Sequence, residues 1–375
     1  MIPRKQFFFY FAIEPLRESL ATNSSISFAD PAFLAWAKTN YPNTVGTGVL
    51  NTYVPTNVTG ISVYQTGASL FPTTCGTVAV NPLPPCALQI ADTGNFSAPQ
   101  IRNGTQHFGR LDKSFKNDRV YASIYRTVLN YGAASAIPAF TALDNNWQIA
   151  SQVNYEHTFK PNLINEAIFG FNRVEGTLGS GAQNYTVPSI AVTGISTDDG
   201  QAFGTGFAQG DFIQHNYHWR DVLTHVRGTH TLRFGYEGWY GDDVEPFPGS
   251  YSQPTFSFDN LLELAQDAPH TQTHTMYNPV TGVPQLWSWD AAGRTWGLSA
   301  EDTSKASKNL TLTLGLRWDD SGNPWSKSTS TIFGNFYLGL GQTAQQQIAN
   351  GFAKATHNAL NNAVTDLLSP RLGFA

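Results

Sequence analysis

Three imidazoles stand close together at His215, His218 and His225, and imidazole is a common zinc ligand. A strand sends alternate side chains to opposite faces, so His215 and His225 share one side while His218 takes the other. A common ligand set is therefore not expected. The pairs Asp198-Asp199, Asp242-Asp243 and Asp319-Asp320 could offer hard oxygens to Ca²⁺, yet each falls at a loop position, where a solvated acid is the ordinary state. Gly204-Thr205-Gly206-Phe207 carries part of a dinucleotide fingerprint, but the third glycine is missing and no helical pattern follows. No nucleophile elbow and no carboxylate pair can be placed on rigid elements. The residues that could do chemistry thus point to no catalytic centre and no cofactor, and the chain reads as a non-enzyme.

The elements that position these residues are strands. From Asn309 to Asp319 apolar and polar residues alternate without a break, with Leu310, Leu312, Leu314, Leu316 and Trp318 on one face and Thr311, Thr313, Gly315, Arg317 and Asp319 on the other. Among 375 residues, 22 Lys+Arg face 27 Asp+Glu for a formal charge of −5, which leaves no basic field for a nucleic acid. Aromatic residues reach 13% and charged residues only 13%, about half the charge usual in a soluble domain. No apolar run is long enough for a spanning helix, whereas a spanning strand needs only about 9–11 residues and shows lipid only half of them.

Candidate strands pair off along the chain. Lys5 to Leu16 comes first, followed by a long polar stretch over about 17–104. Gln106 to Phe115 and Arg119 to Leu129 flank the turn Lys116-Asn117-Asp118. Trp147 to Phe159 and Leu163 to Val174 flank Lys160-Pro161-Asn162, where proline forces a turn. After a loop at about 175–210, Phe212 to His225 pairs with Thr231 to Tyr240. A loop at about 241–292, with a short strand at Thr255-Phe256-Ser257-Phe258, leads to Arg294 to Ser304 and Asn309 to Asp319. A final loop covers about 320–368, with a short helix expected within Thr343 to Leu360. Tight turns alternate with long connections, which is the plan of a β-barrel spanning an outer membrane, with short periplasmic turns and long external loops. The expected fold is all-β, a partial antiparallel transmembrane barrel.

Face assignments follow from parity. Leu310, Leu312, Leu314, Leu316, Trp318, Leu232, Phe234 and Tyr236 are expected to meet lipid, and Arg317, Arg233, Glu237, Gln152 and Glu156 a watery lumen. Trp147, Tyr155, Trp219, Tyr240 and Trp296 are further candidates for the interfacial aromatic girdle. Cys75 and Cys86 share one Pro/Thr/Gly-rich segment, which suits a local loop disulfide in an oxidising compartment, with two free thiols as the alternative. The opening Met1-Ile2-Pro3-Arg4-Lys5-Gln6 shows no leader, and Ser369-Pro370-Arg371-Leu372-Gly373-Phe374 reads as a strand beginning, so the whole of 1–375 is taken as an internal piece of a longer barrel.

Thr229-His230-Thr231-Leu232-Arg233-Phe234-Gly235 and the run from Asn309 to Trp318 resemble barrel strands of TonB-dependent receptors, in particular the Oar-like group. Phe108-Gly109-Arg110-Leu111-Asp112 with Lys116-Asn117-Asp118-Arg119, Phe7-Phe8-Phe9, and Ser369-Pro370-Arg371-Leu372-Gly373-Phe374 are similar to further strands of that group, in the same order. Where the group carries a tyrosine and a tryptophan, this chain has Ser299 and Ser304. The resemblance implies a barrel of about 22 strands, of which nine and the opening of a tenth are counted here, in the outer membrane of a Gram-negative bacterium. It further implies a TonB partner engaged through plug and box segments that nothing here resembles. Aromatic, Asn/Gln/Gly-rich loops favour an extracellular ligand that is bulky and weakly charged, such as a glycan or peptide. Two other readings are a surface adhesin that transports nothing and a secreted β-sandwich carbohydrate-binding module.

Overall fold

The computed structural model describes residues 7–77, 80–178, 187–197, 202–204, 210–246, 254–273, 288–327, 333–360 and 367–375. Strand β1 (Phe7–Ala29) is followed by helices α1 (Pro31–Asn40) and α2 (Val45–Thr52), strand β2 (Val58–Thr66) and the single turn α3 (Gly67–Leu70). Next come β3 (Gln89–Ser114), β4 (Asp118–Ala133), β5 (Ala142–Lys160), β6 (Leu163–Leu178), a short β7 (Ser189–Val192), β8 (Gly210–Arg227) and β9 (His230–Pro246). Then follow β10 (Thr255–Phe258), α4 (Leu261–Ala265), β11 (Thr271–Thr273), β12 (Ser288–Ser307) and β13 (Leu310–Asp320). The chain closes with β14 (Trp325–Ser326), β15 (Phe333–Tyr337), α5 (Ala344–Ala349), β16 (Phe352–Thr356) and β17 (Leu367–Phe374).

One antiparallel sheet runs in the order β1-β3-β4-β5-β6-β8-β9-β12-β13-β17. Among the described residues β1 forms a ladder only with β3 and β17 only with β13, so the sheet is open at both sides apart from a single bridge between Ser27 of β1 and Ser196. Four short turns join β3 to β4, β5 to β6, β8 to β9 and β12 to β13, all at one end of the sheet, while every connection at the other end is longer. Gly228 adopts φ +60°, the left-handed backbone that lets a two-residue turn close the β8/β9 hairpin.

The strands extend well beyond the expected limits. β1 continues from Leu16 to Ala29 and pairs residue for residue with β3, which starts at Gln89 rather than at Gln106. β9 and β12 likewise reach into the stretch read as loop over 241–292. The reason is physical. Alternating hydrophobicity marks a strand whose two faces meet different surroundings, not the ladder itself, so where both faces meet the same surroundings a strand keeps its hydrogen bonds and loses its sequence signature.

The larger departure concerns the long connections, which fold together into a cap with its own core. Phe33 of α1, Leu50 of α2, Ile90 of β3, Ile137, and Leu261 and Leu264 of α4 are each at most 2% exposed and belong to one cluster. β7 and β10 pair in parallel and β11 adds antiparallel, making a small sheet from two different connections. Ser27 of β1 and Ser196 exchange backbone hydrogen bonds at 2.9 and 3.2 Å, which ties this cap to the wall.

Local sequence explains the helices. Asp30 caps α1 by accepting from the Ala32 N–H at 2.6 Å, with Pro31 at the first helical position. Helix α2 has no cap from Thr44; instead Asp267, just beyond α4, accepts from the Val45 and Gly46 N–H groups at 2.8 and 2.6 Å. A Cβ on Gly46 would overlap the Leu264 carbonyl, so the two helices touch backbone to backbone. Asp267→Ala should therefore lower cap stability by about 1 kcal/mol, read as faster amide exchange at Leu50 with no change at β12 and β13. In the last connection α5 starts from a capping box formed by Thr343 and Gln346, within the stretch where a short helix is expected.

Candidate functional site

Strand register assembles two contrasting faces. On β13, Leu312, Leu314, Leu316 and Trp318 lie opposite Phe374, Leu372, Pro370 and Leu368 of β17. On the other flank, Leu314, Leu316 and Trp318 face Asp302, Ala300 and Leu298 of β12, which in turn face Leu232, Phe234 and Tyr236 of β9. The expected apolar set is thus on one side of three neighbouring strands, and it is open: Leu314 is 56% and Leu316 52% exposed. Leu310 shares this parity beside the irregular end of the β12/β13 ladder.

Aromatic rings gather on the same face. Tyr236 stacks on Trp296 with centroids 6.0 Å apart, Trp219 meets the same ring edge-on at 5.5 Å, and the Trp219 indole donates to the Tyr236 hydroxyl at 3.2 Å. A Cβ on Gly238 would meet the Trp219 ring at 2.6 Å, so the glycine is what lets this ring lie flat. Further from the short turns, Phe171, Tyr217, Tyr240 and Trp325 form a second chain of ring contacts. Trp147 lies under the Arg173 guanidinium, and the Tyr155 hydroxyl donates to Asp118 at 2.6 Å. Two carboxylates escaped the sequence reading of this face. Asp221 accepts from Asn165 at 2.8 Å, and Asp302 pairs with His230 at 2.8 Å.

The opposite face is polar and cross-linked. Arg317 reaches both Glu237, two strands away, and Asp319 on its own strand. It does so by crossing Gly297, where any Cβ would collide with its guanidinium. Gln152 donates to the Tyr121 hydroxyl at 2.7 Å, and Asn154 to Glu166 at 3.1 Å. Glu156 stands in register between Arg119 and Glu166. Arg233 faces Glu301 across the β9/β12 ladder.

The chemistry-bearing candidates are placed as follows. His215 shares its Nδ1 with Asp242 at 2.8 Å, and Asp242 also receives the Lys327 ammonium at 2.9 Å, so a cation already holds that carboxylate. Register places His225 with Leu163 and Leu232, far along β8 from His215, and His218 has the opposite parity. Asp319 is engaged by Arg317, and Asp320 accepts from the Gly322 N–H at 2.8 Å. Asp198-Asp199 and Thr205-Gly206-Phe207 lie outside the described residues; Gly204 has φ +78° and packs against the Pro188 carbonyl as a turn residue. Cys75 and Cys86 form a disulfide with Cα atoms 4.9 Å apart.

Two groupings in the cap carry no sequence motif. Asp30 and Asp92 are 6% and 5% exposed and sit side by side where β3 meets α1. Burial first, then the neighbouring Asp30 charge and the hydrogen bond between the two, push the Asp92 carboxyl up to about 6. Asp259, Glu263 and His270 bring donor atoms within 4.8 Å of one another, with His270 and Asp259 paired at 3.3 Å. Asn260, three residues before Glu263 and capping α4, is the signal that could have located this turn.

Comparison with known proteins follows this geometry. The chain matches the family described as outer membrane beta barrel domain over residues 2–375. Among solved structures it is similar to the outer membrane transporter YddB from Escherichia coli, with a TM-score of 0.40 and 11% identity over 66% of this chain and 33% of that one. It is also similar to the ferric-catecholate import receptor Fiu from E. coli K12, with a TM-score of 0.40, 11% identity, and 76% and 43% of the two chains covered. The siderophore receptor PirA from Acinetobacter baumannii gives a TM-score of 0.37 at 10% identity over 65% and 36%. The chain therefore spans a third to less than half of the length of these structures. No curated protein matches it. With its antiparallel sheet, its short turns at one end and its long connections at the other, the chain belongs to the outer membrane beta barrel domain family and is a protein of the outer membrane.

Proposed function

We propose that this chain is part of the wall and the external ligand-capturing cap of a TonB-coupled receptor that imports a solute, and that it performs binding and transport rather than a chemical reaction. The observation that carries this reading is the division of the sheet into an exposed apolar, ring-lined face and a cross-linked polar face, crowned by a folded cap at the long-connection end. The apolar residues Leu310 to Trp318, Leu232, Phe234 and Tyr236 would meet lipid, and Arg317, Arg233, Glu237, Gln152 and Glu156 the lumen. In lipid each unpaired ladder group costs several kcal/mol, so the free sides of β1 and β17 fit a wall completed by further strands in a barrel of about 22. Membership of the Oar-like group is part of the same proposal.

Protease added to intact cells tests the orientation and the coupling together. Cleavage should fall in the cap connections and reach Lys116-Asn117 only after permeabilisation, and a ligand that binds the cap should slow the cut. Collapsing the energy supply should stop solute accumulation without weakening that protection. Accumulation that continues unchanged would contradict the coupling, and protection without any accumulation would favour an adhesin.

A further inference from the structure

A notch of about 220 Å³ opens on the polar face where β8, β9, β12, β13 and β17 run side by side. Four arginines, one each from β8, β9, β13 and β17, line it: Arg220, Arg233, Arg317 and Arg371. Its floor is made of residues with little or no side chain, Gly235, Gly297, Ser299 and Gly315. Glycine inside a strand weakens the sheet and is found where a ligand or another chain must approach the backbone. Gly297 is accounted for by the Arg317 guanidinium lying across it. Gly315 is not: a Cβ there would meet only ordinary contacts at 3.6–3.7 Å, from the Ala300 carbonyl, Arg371 Cβ and Glu301 Cγ, so a side chain would fit between these neighbours and none is there.

The charges in the notch divide into two sets. Arg317 is satisfied by Glu237 and Asp319. Arg220, Arg233 and Arg371 make no side-chain hydrogen bond or ion pair among the described residues, and neither does Glu301, which also lines the notch. Counting all four arginines against Glu237, Glu301 and Asp319 leaves one net positive charge in a chain whose total is −5. An unpaired guanidinium favours a carboxylate, which it can bind with two parallel hydrogen bonds. An unpaired carboxylate favours an ammonium. Register puts Arg233, Glu301, Gly315 and Arg371 in one row across four strands, so Glu301 and Arg371 are two strands and about 10 Å apart at the backbone. The Glu301 and Arg371 side chains both start beside Gly315, which puts none of its own between them, so their charged ends can close that gap to the span of an amino acid or a dipeptide.

We propose that the notch binds the zwitterionic end of a small peptide, with Arg371 taking its carboxylate, Glu301 its ammonium, and Gly315 leaving room for its backbone between them. This rests on the reading of the polar face as the lumen and names the solute class that passes it.

The test uses the natural protein in lipid vesicles carrying Ser299→Cys, a position that lines the notch. Both cysteines of this chain are tied up in the disulfide, and labelling of the parent protein without Ser299→Cys sets the background. A water-soluble maleimide should label it, and millimolar dialanine should slow the labelling. N-acetyl-dialanine amide and glucose should not. Succinate should protect more weakly than dialanine. Adding Arg371→Gln or Glu301→Gln should weaken dialanine protection about tenfold. Gly315→Val, which keeps every charge and fills the floor, should abolish it while the labelling rate in buffer stays measurable. A thiol that does not react at all would overturn the lumen reading itself. A thiol that reacts but is protected equally by glucose, equally by succinate, or by none of these solutes would overturn the peptide site and leave the lumen reading intact.

Discussion

Replacing Leu314 by arginine should destabilise the membrane-inserted protein by about 2–4 kcal/mol, while Thr311→Arg on the same strand should cost less than about 1 kcal/mol. Leu314 lies on the open apolar face beside Leu372 of β17 and is 56% exposed, and the Asp302 carboxylate opposite it on β12 is already shared with His230, so the added guanidinium would be left mostly among apolar groups. It lies four residues into β13, and with about 3.4 Å per residue and a strand tilt near 45° this places it roughly 10 Å above the turn, close to the middle of an apolar band about 25 Å tall. Thr311 has the opposite parity and would send its new charge to water. Reversible denaturant unfolding from vesicles measures both. Equal costs at the two positions would mean that the faces do not differ in solvent.

The second large effect concerns pH. Asp92 is 5% exposed and its carboxyl is raised from 3.8 to about 6 by burial and by Asp30. The folded cap therefore holds a proton that the unfolded chain releases once the pH exceeds about 4. Stability from this group is fully present below that point, falls as pH rises to about 6, and is then flat, a total of about 3 kcal/mol for a shift of some two units. Asp92→Asn keeps the shape, removes the ionisation and should raise cap stability at pH 7.5 by up to that amount, while erasing the slope between pH 4 and 6. Amide exchange at Phe33 and Ile90 across this range reads the effect. A slope that survives the substitution would assign the titration to another group.

Legibility in the sequence followed the solvent. The Leu310 to Trp318 alternation could be read because the two faces of β13 differ in polarity at every step, and the turn at Lys160-Pro161-Asn162 was located because proline cannot donate to a ladder. Arg317 and Glu237 were placed on one face from parity alone, although nothing in the sequence said that they meet across β12. The upper halves of β1 and β3 were invisible because Ser, Thr and Asn on both faces leave no periodicity. The cap was hidden for a different reason: its core draws Phe33, Ile137, Ile190 and Leu261 from separate connections, each too short to show a pattern. Even so, Asp30-Pro31 before Phe33-Leu34 was a usable helix start. Asp221 and Asp302, both on the apolar face, break the alternation that betrays a barrel strand; neighbours on adjacent strands, Asn165 and His230, each hold one carboxylate oxygen.

Nitroxide or cysteine probes placed one at a time from Leu310 to Asp319 in the membrane-embedded protein test this division most directly. Probes at Leu310, Leu312, Leu314, Leu316 and Trp318 should respond to oxygen in the lipid and resist water-soluble reagents, and those at Thr311, Thr313, Gly315, Arg317 and Asp319 should do the reverse, giving a period of two along β13. Water at the four leucines, or one uniform environment along the whole strand, would contradict the assignment of that face to the membrane.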